Sequence, residues 1–316
     1  MKKLLPLIVI VGPTAVGKTD VGIEVARRVN GEVISGDSMQ VYKYMDIGTA
    51  KPTEAEMAGI PHHMIDIVDP DEEFNVARFQ EMVGYHIHNI NERGKVPILV
   101  GGTGLYVRAV LDHYDFSPPG ESLSQRKELM DLAALKGNQC LAEMLREVDP
   151  EAAGRIHPND TRRLVRALEV YRTTGKPISS FQYVSETSPP KYNLGYFGLT
   201  MEREKLYNRI EQRVDKMMAG GLIDEVKGLV EKGYGPQSTA MQALGYKEII
   251  DYLEGLCTME EAVELIKRNT RRFAKRQLTW FRRDKRIRWI EVQNYESLDK
   301  ITDEIIAISE GQFTNT

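Results

Sequence analysis

Cysteine is scarce in this chain, which has only Cys140 and Cys257 among its 316 residues. The two lie far apart, and neither has a histidine nearby at the spacing of zinc ligands. A disulfide framework needs several cysteines, and a structural zinc site needs closely spaced Cys or His ligands. The sequence therefore excludes both classes of small cross-linked domain, and any metal is expected to have oxygen ligands.

Long apolar runs are also missing. No stretch of about 18 uncharged apolar residues occurs, which argues against a membrane-spanning helix. Residues 1–10 run directly into a glycine-rich turn, without the small-residue cleavage pattern of a secretory signal. The sequence therefore predicts a cytoplasmic protein with no membrane segment.

Charge is unevenly spread along the chain. The formal net charge is only −4, yet residues 267–288 contain eleven Lys or Arg and one acidic residue. Phe273, Trp280, Phe281 and Trp289 are interleaved with these charges. Such a mixture suits phosphate contacts and base stacking, although the spacing of the aromatics also fits the core face of a helix. We interpret the aromatics as core and the charges as a surface facing solvent or RNA.

The strongest motif is G-x-x-x-x-G-K-[ST], a phosphate-binding loop formed by Gly12, Pro13, Thr14, Ala15, Val16, Gly17, Lys18 and Thr19. Its glycines let backbone N–H groups turn toward phosphate oxygens, and the following helix N-terminus adds partial positive charge. Lys18 would neutralise phosphate, and the Thr19 hydroxyl would ligate Mg²⁺. The same loop serves kinases, ATPases, GTPases and transferases, but the chain has no N-K-x-D guanine-reading sequence. A molecular switch is therefore disfavoured.

Apolar segments alternate with helical patterns in the first third of the chain. Strands are predicted at residues 4–12, 32–37, 64–68 and 97–100, with a helix after the phosphate loop ending at Arg28. This alternation is typical of an α/β fold with a parallel sheet. We therefore predict a core like that of P-loop-containing nucleoside triphosphate hydrolases, with a helical insertion domain.

The pattern changes after about residue 112. Between Pro118-Pro119 and Pro189-Pro190 the segments are helical, which predicts a core of residues 1–112 and 196–316 and an insertion of residues 113–195. Residues 192–199 could return the chain to the sheet. A long helix capped by Thr258 and Glu261 follows, and residues 286–292 could form a last strand.

Several polar residues are candidates for the site, each with an ordinary structural alternative. Asp37 and Thr103 each close a predicted strand, so both should face bound phosphates at the carboxyl edge of the sheet. Either could instead simply cap a turn or helix. The arginine pairs Arg162/Arg166 and Arg209/Arg213 have one-turn spacing, which is typical of solvated faces. The pair His62-His63 has no third ligand at metal spacing and is interpreted as packing in a turn.

Taken together, the motifs resemble the tRNA dimethylallyltransferase family of isopentenyl transferases. Beyond the phosphate loop, the resemblance is carried by residues 35–42 (SGDSMQVY), 45–52 (MDIGTAKP), 66–70 (DIVDP), 100–106 (VGGTGLY), 156–160 (IHPND), 166–170 (RALEV), 243–247 (ALGYK) and 275–281 (KRQLTWF). These blocks cover nearly the whole chain. The resemblance is to the bacterial type, since the C-terminal zinc-finger extension of eukaryotic members is absent.

The resemblance implies transfer of a dimethylallyl group from dimethylallyl diphosphate to N6 of adenosine 37, in tRNAs that read codons beginning with U. It implies that Asp37 takes the proton from N6. Thr103, Arg213 and Lys18 would stabilise the departing diphosphate, with Mg²⁺ on Thr19. Such a leaving group gathers charge in the transition state, which fixed cations and N–H groups stabilise.

The resemblance also implies which residues contact the tRNA anticodon stem-loop. They are Asp37, Ser38, Met39, Gln40, Thr103, Thr161, Arg162, Arg163, Leu164, Val165, Gly245, Tyr246 and Lys247. The target base must leave the stack of the anticodon loop to reach Asp37, while the insertion grips the stem. A monomer without an obligate protein partner is expected. Two alternatives stay open, an enzyme that prenylates free AMP and a P-loop small-molecule kinase.

Overall fold

The computed structural model of this chain describes residues 4–114, 123–181 and 189–314. Six strands form one parallel sheet in the order β3-β2-β4-β1-β5-β6. In chain order they are β1 Leu5–Val11, β2 Gly31–Ser35, β3 His62–His63, β4 Val96–Gly101, β5 Tyr192–Thr200 and β6 Arg288–Glu291. The parallel α/β core expected from the sequence is therefore confirmed.

The helices described are, in chain order, α1 Lys18–Arg28, α2 Glu54–Met57, α3 Val76–Glu92, α4 Gly104–Leu111, α5 Leu123–Lys136, α6 Asn138–Val148, α7 Pro150–Arg155, α8 Thr161–Thr174, α9 Arg203–Ala219, α10 Leu222–Glu231, α11 Tyr246–Leu253, α12 Met259–Phe281 and α13 Leu298–Thr314. The expected capping box of Thr258 and Glu261 begins α12. None of the helices in the described ranges is long and apolar enough to cross a membrane.

The central strands are buried on both faces because helices cover the sheet on each side. Leu7, Val9 and Val11 of β1 belong to one apolar cluster, whereas Ile8 and Ile10 belong to the other. Successive side chains of a strand point to opposite faces, so a strand between two helical layers must be apolar at every position. This explains the continuous apolar run that precedes the phosphate loop, and it fixes the loop at the carboxyl edge of the sheet.

The chain divides into two compact units. One consists of residues 1–111 and 190–316, and the other is Asp112–Pro189. The sequence placed the divisions one residue later at the first boundary and several residues later at the second, where β5 already begins at Tyr192. Pro118 and Pro119, used as one edge of the insertion, lie outside the described residues.

The insertion has an apolar core of its own. Leu141, Leu145, Leu164 and Val165 are buried within it. The carboxylate of Glu169 is also buried, and it accepts hydrogen bonds from Arg126 and Arg166 on α5 and α8. This unit therefore contributes an independent helical cluster rather than an extension of the sheet.

Two local expectations around the edge strand were wrong. The predicted strand at residues 64–68 is absent because Met64 and Asp66 adopt left-handed backbone conformations, with φ of 66° and 54°. The edge strand is instead the His62–His63 pair, which was expected to lie in a turn. His63 Nε2 lies 2.8 Å from the buried carboxylate of Glu32. The histidines thus pack against the end of β2.

Candidate active site

The phosphate loop connects β1 to α1 and relies on special backbone conformations. Gly12, Ala15 and Gly17 have positive φ values of 151°, 65° and 101°. A Cβ atom on Gly12 would lie 2.5 Å from the carbonyl oxygen of Leu199, so the first glycine is also required by close packing against β5. The motif therefore has the strand-turn-helix context that phosphate binding requires.

Lys18 is held within this loop. Its Nζ donates a 2.8 Å hydrogen bond to the carbonyl oxygen of Pro13. The pKa of Lys18 is lowered to about 7, mainly by burial and also by the nearby Arg213 guanidinium, while Asp37 acts in the opposite direction. The loop therefore holds its lysine close to a change of charge at neutral pH.

Two arginines of α9 lie beside the phosphate loop. Burial lowers the pKa of Arg213, and Asp37 is the strongest of the carboxylates that oppose this. Arg209, one turn earlier, donates to the carbonyl oxygen of Val16 at 3.4 Å. The one-turn spacing predicted from sequence is therefore a face directed at the phosphate loop, and Arg209 is a neighbour of that loop to which sequence reasoning assigned no role.

Asp37 begins a long loop of residues 37–52, here called the acceptor loop. Its Oδ1 accepts a 2.8 Å hydrogen bond from the N–H of Met39, so the carboxylate does cap a turn. It also influences the pKa of both Lys18 and Arg213, which places it among the charges of the phosphate loop. The turn-capping role and the site location, which the sequence left as alternatives, therefore occur together.

Thr103 joins the acceptor loop to the end of β4. Its Oγ1 accepts a hydrogen bond from the N–H of Ser38 at 3.1 Å and donates to Ser38 Oγ at 3.3 Å. The two residues are 65 positions apart, and they meet because β2 and β4 are neighbouring parallel strands. The structure thus brings Asp37, Ser38 and Thr103 together at one edge of the sheet.

The rest of the acceptor loop is fastened from two sides. Inside it, Gln40 Nε2 donates to the carbonyl oxygens of Thr49 and Ala50 at 3.4 and 3.3 Å. From α10, the Glu225 carboxylate accepts three consecutive backbone N–H groups, those of residues 46, 47 and 48. Tyr246 donates its hydroxyl to the same carboxylate at 2.5 Å. Glu225 is therefore the main anchor of this loop, a role that sequence reasoning missed.

Four of the residues expected to contact tRNA are buried. Leu164 and Val165 lie in the apolar core of the insertion, Tyr246 lies in that of the sheet unit, and Gly245 is buried next to it in sequence. Their contact with tRNA stays a prediction. The exposed members of the same segments are Arg162, Arg163 and Lys247.

Gln277 on α12 makes an unexpected bridge. Its Oε1 accepts a 2.9 Å hydrogen bond from the N–H of Thr14 in the phosphate loop, and its Nε2 donates to Gly102 O at 2.9 Å. The residue is 6% exposed. Gln277 lies on the buried face of α12, one turn from Phe281, and a glutamine at an apolar position was the signal that could have revealed it.

The basic run on α12 is partly neutralised. Lys267 pairs with Asp215 at 2.7 Å and Arg271 with Glu211 at 2.6 Å, both acidic residues being on α9. Arg272, Lys275 and Arg276 are exposed. Phe281 is buried, and Trp280 and Trp289 pack on the core of the sheet unit, which agrees with their interpretation as core residues. Only part of the run is therefore free to meet a polyanion.

A metal ion would need a ligand besides the protein. Within the described ranges, no group of three or more His, Cys, Asp or Glu side chains is placed to hold one. The Thr19 hydroxyl at the start of α1 is a single oxygen donor, which suits a cation that arrives with its phosphates. The residues present therefore fit a magnesium ion bound mainly through a substrate.

The fold and the site define a P-loop α/β protein in which Asp37 of the acceptor loop lies among the charges of the phosphate-binding loop. Residues 40–284 match the family model of IPP transferase. A tRNA dimethylallyltransferase of Carboxydothermus hydrogenoformans is 59% identical over 300 residues, which cover 95% of this chain and 96% of that protein. The chain belongs to the IPP transferase family.

Solved structures agree with this assignment. The tRNA isopentenylpyrophosphate transferase of Bacillus halodurans is 48% identical, with a TM-score of 0.74 and coverage of 98% of this chain and 97% of that one. A eukaryotic dimethylallyltransferase acting on tRNA is 32% identical, with a TM-score of 0.79 and coverage of 98% and 79%. The similarity therefore spans both units of the chain.

Proposed function

We propose that this chain transfers a dimethylallyl group from dimethylallyl diphosphate to N6 of adenosine 37, in tRNAs that read codons beginning with U. One observation carries the proposal within the P-loop class. Asp37 lies at the same edge of the sheet as Lys18 and Arg213 and affects the pKa of both. A base for an attacking amine and cations for a departing diphosphate therefore stand together.

The reaction exchanges one bond for another. The N6 nitrogen of adenosine attacks C1 of the dimethylallyl group, the C1–O bond breaks, and both electrons of that bond leave with the diphosphate. Asp37 accepts the N6 proton, because an aromatic amine is a weak nucleophile until a base assists it. The products are N6-dimethylallyladenosine and diphosphate.

The phosphate loop serves the leaving group rather than a transferred phosphoryl group. Charge that develops on the diphosphate is stabilised by backbone N–H groups that follow Thr14 in the phosphate loop and by Lys18, Arg213 and Thr103. These groups are in place before reaction, so little reorganisation is needed. When bound, Mg²⁺ on Thr19 supplies further neutralisation of the diphosphate oxygens.

The tRNA is held by two sets of residues. Around the flipped base lie the partly buried residues Asp37, Ser38, Met39, Gln40 and Thr103. The other set comprises Thr161, the exposed Arg162, Arg163 and Lys247, and the exposed arginines and lysine of α12. Phosphate contacts of this kind position a nucleic acid without reading its sequence. The enzyme acts as a monomer in the cytoplasm, where its tRNA substrate is found.

The test is a prenylation assay with labelled dimethylallyl diphosphate. An unmodified anticodon stem-loop should become labelled on adenosine 37, and AMP should not. Labelling of AMP alone would overturn the proposal in favour of an AMP prenylating enzyme. Transfer of γ-phosphate from ATP with no prenyl transfer would instead indicate a kinase. The exposed basic residues of α12 favour the tRNA substrate, since a nucleotide does not need them.

A further inference from the structure

The two halves of the proposed site are built on different parts of the chain, yet their spacing must be fixed. The phosphate loop holds the diphosphate, whereas Asp37 lies in the loop after β2 and Thr103 in the turn after β4. In-line displacement at C1 requires the attacking and leaving atoms to be aligned to within a fraction of an ångström. Some contact must therefore tie the two halves together.

Gln277 makes such a contact with both halves at once. One end of its amide accepts the N–H of Thr14, and the other end donates to Gly102 O, each at 2.9 Å. Gly102 directly precedes Thr103, whose hydroxyl binds the N–H of Ser38 next to Asp37. A continuous path of hydrogen bonds and chain therefore runs from the phosphate loop through Gln277 to the acceptor loop.

Gln277 is buried and closely packed. The residue is buried on α12, between Ala274 and Phe281, which belong to the two apolar clusters on opposite faces of the sheet. A Cβ atom on Gly102 would collide with the Gln277 amide nitrogen. The Gln277 amide therefore lies directly against the backbone at Gly102, which follows β4, and only a glycine leaves room for it there.

We infer that Gln277 is a positioning residue, which sets the distance between the diphosphate held by the phosphate loop and the base held beside Asp37. The inference rests on the proposed function. Gln277 does not touch the reacting atoms and acts through Thr14 and Gly102. Its removal should therefore lower the rate of the chemical step more than the affinity for either substrate.

The first experiment measures single-turnover prenylation of the anticodon stem-loop by the full chain carrying Gln277→Met. Methionine has similar volume but makes neither hydrogen bond. We expect the rate to fall roughly 10- to 100-fold, the penalty of a misplacement of about 1 Å. Binding of inorganic diphosphate and of the stem-loop, measured separately, should change little. Ile305→Val, on the buried face of α13, is the control that lowers the melting temperature without changing a residue of either loop.

The second experiment uses Gln277→Glu and the pH dependence of its rate relative to wild type. A protonated glutamic acid can accept from Thr14 and donate to Gly102, as glutamine does, whereas the carboxylate cannot donate and repels the carbonyl oxygen. The ratio should therefore rise as pH falls between about 8.5 and 5.5. The pKa of Lys18, about 7, lies within this range, and Arg213 and Asp37 are the charged groups beside it, so their contributions are common to both rates. The ratio for Gln277→Met should stay flat.

Several outcomes would overturn the inference. They are a Gln277→Met rate equal to wild type, a loss no larger than that of the control at equal melting temperature, and a flat pH ratio for Gln277→Glu. If Gln277→Met fails to fold, the glutamate variant decides alone. A wild-type enzyme that does not prenylate the stem-loop contradicts the proposed function, whereas an active wild type with an unaffected Gln277→Met contradicts only the role of Gln277.

Discussion

The phosphate loop and the acceptor loop lie at the same sheet edge but are built in opposite ways. The shape of residues 12–19 depends mainly on glycine conformations and the Lys18 to Pro13 bond, to which Gln277 and Arg209 add one hydrogen bond each from a distance. Residues 37–52 obtain theirs from distant partners, since Glu225 lies 179 positions from Asp46. The donor half of the site is therefore mainly a local motif, whereas the acceptor half depends more on the tertiary fold.

The largest expected effect comes from Asp37, whose role as a base can be separated from its role in capping the turn of the acceptor loop. Asp37→Ala should lower the prenylation rate by about 10²- to 10⁴-fold, the contribution of a general base. The affinity of the phosphate loop for diphosphate, measured by calorimetry, should change little. Asp37→Asn keeps an oxygen to accept the Met39 N–H but cannot accept the proton, so it should lose as much activity. Near-normal activity of the asparagine variant would leave Asp37 as a turn cap only.

The next effect concerns the anchor of the acceptor loop. Glu225→Ala leaves three backbone N–H groups and the Tyr246 hydroxyl without their acceptor, so the free energy of unfolding should fall by about 1–3 kcal/mol in urea titrations. Glu231→Ala, at the exposed end of the same helix, should cost less than about 0.5 kcal/mol. Diphosphate affinity should be kept. Equal losses of unfolding free energy in the two variants would mean that Glu225 does not anchor the acceptor loop.

The protonation of Lys18 should make diphosphate binding by the phosphate loop depend on pH. Its pKa is lowered from 10.5 to about 7, so between these values the unfolded chain binds more protons and the free enzyme gains stability as pH rises. A bound diphosphate needs the ammonium form, so above about pH 7 binding takes up a proton. Affinity for dimethylallyl diphosphate should then fall by up to about tenfold per pH unit.

Calorimetry at pH 8 in buffers of different ionisation enthalpy checks this expectation. Wild type should take up about nine-tenths of a proton more than Lys18→Arg, whose guanidinium stays charged. The affinity for the stem-loop should not follow this pH dependence. Equal proton uptake by the two proteins would show that Lys18 is already charged in the free loop.

The smallest effect concerns α12 and involves only the tRNA. Lys275→Gln with Arg276→Gln should lower the slope of log affinity against log salt by about 0.7–0.9 for each lost phosphate contact. Lys267→Gln with Arg271→Gln should leave the slope nearly unchanged, because these charges already pair with Asp215 and Glu211. Filter-binding measurements of the two double variants make the comparison. Equal slopes would assign no phosphate contact to the exposed pair.

The same contrast explains what the sequence could predict. The phosphate loop and its flanking strand and helix were predicted because their signals are contiguous. The prediction of a strand at residues 64–68 was wrong because contacts with the acceptor loop shape the backbone there. One of them is the hydrogen bond that the N–H of Asp66 donates to the carbonyl oxygen of Gln40. Gln277 was not recognised because its partner Thr14 is 263 positions away. Residue patterns report local conformation, but not which distant groups meet.

The insertion unit has its two ends side by side. His113 Nε2 lies 2.9 Å from the carbonyl oxygen of Pro189, although the residues are 76 positions apart. Once folded, the insertion therefore acts on the rest of the chain as a short connection between α4 and β5, because its ends are already together. The entropic cost of closing a loop grows only with the logarithm of its length, by about 0.6 kcal/mol per doubling. In this chain the folding of the insertion itself brings the ends together, so the sheet unit does not bear that cost. Its helices can lengthen or shorten with little effect on the stability of the sheet.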